Sequence, residues 1–330
     1  MFCHEREPYK NTDMTQKPQL PRALFIAGPT ASGKSAFALA AAGKLNGTII
    51  NADSMQVYDT LCLLTARPSA EDEARVPHKL YGHVKAGAAY SVGQWQSDAL
   101  QAISQTQAEG RVPILVGGTG LYFRSLTEGL ANIPDIPDAV RQRLRKQLQI
   151  EGAAALHEAL KACDSALAAR LNPNDSQRIL RGLEVFHATG QKLSVWQQQE
   201  PPAPLSFPVT QVLLMPERQW LYERCNARFA QMLENNALDE VKALLALKVA
   251  ADSPVMKALG VAELGAYMAG ETPLEAAVER AQQQTRRYAK RQMTWFRNQM
   301  IAWEAFNEQD YEYNFAEIFS FITKTGLTSA

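Results

Sequence analysis

The chain has 330 residues, 46% of them hydrophobic and 21% charged, a globular composition that excludes a disordered or fibrous protein. Lysine plus arginine number 34, as do aspartate plus glutamate, so net charge points to no partner and any nucleic-acid surface must arise from local clustering. The cysteines Cys3, Cys62, Cys163 and Cys225 form no C-x-x-C pair and the histidines are scattered, which argues against structural zinc and for reduced thiols in a cytoplasmic protein.

Residues 1–20 are polar, lack the apolar stretch of a signal peptide and read as a disordered extension. No segment reaches the ~18 apolar residues of a membrane helix, so no membrane partner is expected. Ala23 to Ala27 suits a buried parallel strand, and GPTASGKS follows it at residues 28–35. The spacing G-x-x-x-x-G-K-[ST] is a phosphate-binding loop. Gly28, Pro29, Thr30, Ala31, Ser32 and Gly33 form the loop, whose glycines let backbone N–H groups turn inward around an anion; Lys34 adds a positive charge, and Ser35 a hydroxyl for phosphate-bound Mg²⁺. The Ala-rich run Ser35 to Leu45 is a helix whose N-terminus adds its positive end.

Gly47 to Ala52 is a second strand, ending at Asp53. A carboxylate there acts as a general base or an Mg²⁺ contact, or else caps a helix. Gln94 to Glu109 reads as a helix, and Val112 to Val116 as a strand that ends in Gly117-Gly118-Thr119-Gly120. These glycines permit close approach of a ligand, or simply a tight turn. Strands alternating with helices predict an α/β fold with a P-loop NTPase-like parallel sheet, its ligands at the carboxyl ends of the strands. The strand before Gly117 lacks the terminal aspartate of motor-type NTPases. Small-molecule kinases and transferases with a diphosphate leaving group remain.

Asn132 to Pro137 is a loop, and Asp138 to Gln199 is helix-forming and basic with no convincing strand. Pro201, Pro202 and Pro204 mark a linker, Val209 to Met215 is strand-like, and helices run from Glu217 to about Ala302. The predicted architecture is a core of residues 21–131 and 206–330, interrupted by an all-helical insertion at 132–205. Basic residues cluster at 280–297, at Arg141, Arg143, Arg145 and Lys146, and at Arg178 and Arg181. Each cluster is a solvated helix face or a set of phosphate contacts. Arg224 and Arg228 share a helix face, where they either clamp a diphosphate or pair with Glu217 and Glu223. His78 and His83 are assigned ordinary polar or packing roles.

The blocks GPTASGKS, ADSMQVY, TARPS, LVGGTGLYFRSL, NDSQRILRGLEVF and AKRQMTWFRNQ occur in this order. Together they resemble the bacterial tRNA dimethylallyltransferase (IPP transferase) family, from about residue 22 to about 300. The resemblance implies an enzyme that moves a dimethylallyl group from dimethylallyl diphosphate to N6 of the adenosine 3′ of the anticodon, with Mg²⁺ and tRNA as partners. Asp53 matches the family's general base, and Thr119 lies in its channel motif. Asp53, Ser54, Met55 and Gln56 match tRNA-contacting positions, as do Gln177, Arg178, Ile179, Leu180 and Arg181. Arg141, Thr119, Lys257 and Gly260 are further expected contacts, with Arg287 and Arg291 from the basic helix. A cytoplasmic monomer is the expectation. The chain departs from the pattern at Thr60 and Leu64, where glycines are common, at Arg67 for lysine, and at Val261 for tyrosine. A small-molecule kinase and a free-adenylate prenyltransferase are the alternatives.

Overall fold

Short apolar strands alternate with helices along much of the chain. The computed structural model describes residues 22–199, 203–307 and 311–325, so the extension expected at 1–20 and two linker prolines, Pro201 and Pro202, lie outside the described residues. In chain order the elements are β1 (Leu24–Ala27), α1 (Lys34–Leu45), β2 (Gly47–Asn51), α2 (Ala70–Arg75), β3 (His78–Lys79), α3 (Val92–Ala108), β4 (Val112–Gly117) and α4 (Gly120–Thr127). The helices α5 (Asp138–Cys163), α6 (Ser165–Ala168), α7 (Ser176–Thr189) and α8 (Leu193–Trp196) follow. Then come β5 (Thr210–Leu214), α9 (Arg218–Glu234), α10 (Ala237–Ala246), a 3₁₀ turn (Pro254–Lys257), α11 (Val261–Met268), α12 (Leu274–Gln299), β6 (Glu304–Phe306) and α13 (Tyr311–Thr325).

The chain forms two compact units, one running up to Phe123 and resuming at Phe207, the other spanning Arg124–Ser206. In the first unit six parallel strands form one sheet in the order β3-β2-β4-β1-β5-β6. Helices cover both faces, which is why the strands read as continuous apolar runs rather than alternating ones. Leu24 and Ile26 of β1 join Ile114 and Val116 of β4 against Phe37, Ala38, Ala41 and Leu45 of α1, with Ile318 and Ile322 of α13 in the same core. The intervening Phe25 points to the other face, 5.6 Å from Phe123 and 6.3 Å from Trp303 between ring centroids. Small alanines on α1 let the helix lie close to the sheet. No helix among the described residues is long and apolar enough to cross a membrane.

The second unit contains only helices among the described residues. Leu144, Leu156 and Leu160 of α5 pack with Ile179, Leu183 and Val185 of α7 in its core. Gly152 breaks the helical geometry of α5 with φ 81° and ψ 169°. The buried Asp164 ties α6 to α8, accepting hydrogen bonds from the N–H of Leu167, the N–H of Ser194 and the Ser194 hydroxyl at 2.6 Å. Burial alone would raise its carboxyl, but these donors hold it below the usual carboxylate range.

The segment from Thr60 to Leu64 is fixed by Glu240 of α10. One carboxylate oxygen accepts from the N–H groups of Cys62 and Leu63, both at 2.8 Å, and the other from Leu64 at 3.1 Å. Three charge-assisted bonds hold backbone donors that have no secondary-structure partner. Glu240→Ala is expected to lower stability by about 2–3 kcal/mol, read as a fall in the urea midpoint at unchanged slope.

Candidate active site

The carboxyl ends of β1, β4 and β2 lie side by side because β4 sits between the other two and all three run parallel. The phosphate-binding loop leaves β1, the glycine loop leaves β4, and Asp53 stands just past β2. One sheet edge thus gathers the three strand ends singled out in the sequence.

In the phosphate-binding loop, Ala31 and Gly33 take left-handed conformations at φ 66° and 87°. Such reversals turn successive N–H groups to one side and make an anion nest. The helices α2 and α3 begin with side-chain capping boxes, but α1 begins at Gly33 with no side-chain cap. Its first N–H groups are left for an anion. The Ser32 hydroxyl is buried and has no hydrogen-bond partner among the described residues. Ser35 is exposed on the first turn of α1.

Lys34 Nζ donates to the Pro29 carbonyl at 3.2 Å. Burial lowers its pKa to about 8; Asp53 opposes the shift and Arg228 adds to it. From α9, Arg224 Nε donates to Ala31 O at 3.3 Å and Arg228 donates to the Thr30 hydroxyl. Both arginines turn onto the loop, and Arg224 also lies 4.6 Å above the Trp220 ring. Burial lowers the Arg228 pKa, so an entering anion would relieve an unfavourable concentration of positive charge. Beneath them, burial pushes the Cys225 thiol up despite the cations around it, so this cysteine stays protonated.

Asp53 starts no helix. Its Oδ1 accepts from the Met55 N–H at 2.9 Å in a tight turn. Its Oδ2 faces Gly118, where an added Cβ would lie 3.4 Å away. Asn51 fixes the main chain around it: Oδ1 accepts from Asp53 N at 2.8 Å, and Nδ2 donates to Asp53 O and Leu80 O. Asn51 is in turn held by Trp95, whose Nε1 donates to its carbonyl at 2.9 Å while the ring stacks on Tyr122 at 4.0 Å. Burial raises the phenols of Tyr81, Tyr122 and Tyr288, and the nearby Asp53 carboxylate raises them further. Thr119 bridges two strand ends, since its hydroxyl accepts from Ser54 N at 3.0 Å and its N–H donates to Ala52 O.

Gly117, Gly118 and Gly120 each have a close neighbour in the way of a side chain. A Cβ at Gly117 would overlap the Ala52 carbonyl, one at Gly118 the Gln292 amide, and one at Gly120 the Trp295 ring. Gly117→Ala is expected to destabilise by about 3 kcal/mol in urea unfolding, because backbone rather than a flexible side chain must yield. Gly43→Ala on the exposed side of α1, with nothing within 4 Å of its added Cβ, is the contrasting case. It is expected to stabilise by about 0.5–1 kcal/mol.

Gln292 and Trp295 belong to α12. The buried stripe of that helix includes Thr285, Ala289, Gln292, Met293 and Phe296. On the opposite side Arg287, Lys290, Arg291 and Thr294 line an open groove with Trp295 and Asn298. Arg141 of α5 and Arg181 of α7 approach one another in the helical unit. Burial lowers the Arg181 pKa, Glu184 opposes this, and Arg141 lowers it further. Gln177 and Arg178 are exposed at the start of α7, as is Lys257 on the 3₁₀ turn.

Two expected tRNA contacts need correction. The Ile179 side chain is 0% exposed in the core of the helical unit, with Leu180 packed against that core, because the motif runs along a helix with only one face outward. Gly260 is also buried: it begins α11 at φ 91°, and a Cβ there would lie 2.9 Å from the Phe229 ring and 3.3 Å from Leu64. Its glycine serves backbone geometry. Ser54, Met55 and Gln56 are half-buried, and the Gln56 amide donates to Thr65 O and Ala66 O, bracing the TARPS segment. His78 and His83 have ordinary packing and polar roles: His78 meets Tyr81 edge-on, and His83 Nε2 lies within hydrogen-bond distance of the Tyr90 hydroxyl and 3.8 Å from Asp98 Oδ2. Asn51 and Gln292 were not singled out from sequence. Their signal was a polar residue inside an otherwise buried run.

A sequence model of the IPP transferase family matches residues 56–299. The chain is 52% identical over 284 residues to the tRNA dimethylallyltransferase of Allorhizobium ampelinum, covering 86% of this chain and 93% of that one. It is 52% identical over 307 residues to that of Parvibaculum lavamentivorans, covering 93% and 98%. The crystal structure of the full-length tRNA isopentenylpyrophosphate transferase of Bacillus halodurans is similar at TM-score 0.67 and 34% identity, over 94% of this chain and 97% of that one. A eukaryotic dimethylallyltransferase acting on tRNA is similar at TM-score 0.75 and 28% identity, over 88% and 75%.

Proposed function

The chain belongs to the IPP transferase family, and we propose that it transfers a dimethylallyl group from dimethylallyl diphosphate to N6 of the adenosine 3′ of the tRNA anticodon, releasing diphosphate. The observation that carries this reading is the placement of an anion nest, flanked by Arg224 and Arg228, at the same sheet edge as the Asp53 carboxylate.

The nest, Lys34 and the two arginines hold the diphosphate and stabilise the charge that develops on its leaving oxygen. The C1–O bond of the donor breaks, and the allylic carbon carries partial positive charge. The N6 lone pair is delocalised into the adenine ring, so the amine is a weak nucleophile. It forms the new C–N bond while its proton passes to Asp53 Oδ2. The base must leave its stack to reach this site, and the exposed cations of α12 contact phosphate and position the tRNA. Acting on tRNA places the protein in the cytoplasm.

Among the described residues no group of three or more His, Cys, Asp or Glu forms a metal site. The Ser35 hydroxyl, with oxygens of the diphosphate, suits a hard cation that arrives with the donor. Mg²⁺ held there would neutralise leaving-group charge. The test is incubation with unmodified tRNA, Mg²⁺ and labelled dimethylallyl diphosphate, with ATP and AMP as parallel substrates. Label in tRNA adenosine is the expected result. Labelled AMP, or ATP turnover with no label in tRNA, would overturn the assignment in favour of a free-nucleotide prenyltransferase or a kinase.

A further inference from the structure

Gln292 is a long polar side chain inside the buried stripe of α12, only 6% exposed. Thr285, the other polar residue of that stripe, bonds Ala281 of its own helix. Gln292 instead bonds two separate loops. Its Oε1 accepts from the N–H of Thr30 in the phosphate-binding loop at 2.8 Å, and its Nε2 donates to the carbonyl of Gly118 at 2.8 Å. Both ends of the amide are satisfied, and no other residue type presents an acceptor and a donor in that planar geometry at that reach. Thr30 is also held through its hydroxyl by Arg228 of α9. The helices α9 and α12 are themselves joined by Arg286 and Gln282 to Asn226.

The bracket has a consequence for the transfer. The Thr30 loop places the donor, and Gly118 adjoins Asp53 Oδ2, where the acceptor amine must sit. The separation of those two loops sets the distance between the allylic carbon and N6. We propose that Gln292 is a positioning residue that fixes this separation from a neighbouring helix, holding the donor carbon against the acceptor without touching either. The inference rests on the prenyl-transfer reading above.

Misalignment leaves a specific chemical trace. If the donor's C–O bond breaks while N6 is out of reach, water attacks the allylic carbon. A C–O bond to water forms, diphosphate leaves, the water proton passes to solvent or Asp53, and the product is dimethylallyl alcohol. A loss of folded protein lowers prenyl-tRNA and alcohol together, whereas a loss of alignment changes their ratio.

The experiment compares wild type with Gln292→Met, which keeps the volume and removes both hydrogen bonds. Gln292→Glu keeps the bond to Thr30 and removes the donor to Gly118, and it serves if the methionine variant does not fold. Prenyl-tRNA and labelled alcohol are quantified in the same reaction with tRNA and donor saturating. Transfer kcat is expected to fall about 10²-fold, since misplacement by about 1 Å has that effect. The ratio of alcohol to prenyl-tRNA is expected to rise at least about tenfold, while KM for tRNA holds. Alcohol and prenyl-tRNA falling in parallel, or wild-type transfer in a folded variant, would overturn the proposal. Failure of the prenyl-transfer reading looks different, because wild type itself would then label no tRNA.

Discussion

Asp53→Asn lowers the rate of prenyl transfer about 10²–10⁴-fold and leaves tRNA affinity unchanged. The substitution separates two roles that alanine would confuse. Asp53 Oδ1 holds the Met55 N–H in a tight turn, and asparagine performs that task as well as aspartate. What asparagine lacks is a second oxygen able to accept a proton from N6 at the position facing Gly118. If Asp53 matters only for the turn, Asp53→Asn stays active and only Asp53→Ala is impaired. If it is the general base, both variants lose transfer. Single-turnover rates with bound tRNA read this directly, because they exclude product release. A fully active asparagine variant would remove Asp53 from the chemistry.

The sequence was legible where short-range patterns decide. β1, β2, β4 and β5 are largely buried runs with consecutive aliphatic residues, which makes each legible even where Thr48, Asn51, Thr210 and Gln211 interrupt the apolar pattern. β3 and β6 were not visible. His78–Lys79 pairs through two residues, and Glu304–Phe306 is a mostly exposed edge strand with no apolar run. The phosphate-binding loop could be read because its spacing is itself the geometry. Gln292 could not, because its meaning lies in Thr30 and Gly118, which are 262 and 174 residues away along the chain. The reverse holds at Ile179 and Gly260, where a contiguous motif is not a contiguous surface. A helix hides part of any motif it carries, and a glycine with positive φ answers first to the backbone. The glycines at 117, 118 and 120 combine both cases: the pattern announced close approach, but the approaching groups prove to be Ala52, Gln292 and Trp295 of the protein itself.

Lys34→Met is expected to lower kcat about 10²–10³-fold, comparable to deleting one donor that stabilises charge in a transition state. The native lysine should also leave a signature in pH. In the free protein burial holds its pKa down at about 8, with Asp53 only partly offsetting that effect. A bound diphosphate puts negative charge beside the ammonium and raises its pKa above the free value. Binding therefore favours the protonated lysine. Below about pH 8 that proton is already present, and affinity is at its plateau for this group. As pH rises through the free value, binding must include proton uptake, so affinity falls by up to about tenfold per pH unit until the bound-state pKa is reached. Asp53→Asn should move the onset downward, because it removes a neighbour that supports the charged lysine. The measurement is the Kd of a non-reactive S-thiolo analogue of dimethylallyl diphosphate between pH 6.5 and 10, for wild type and Lys34→Met. The methionine variant should bind weakly with a flat profile over that range. A wild-type profile that is equally flat would mean that Lys34 does not bear on the diphosphate, leaving the backbone nest and the two α9 arginines to hold it.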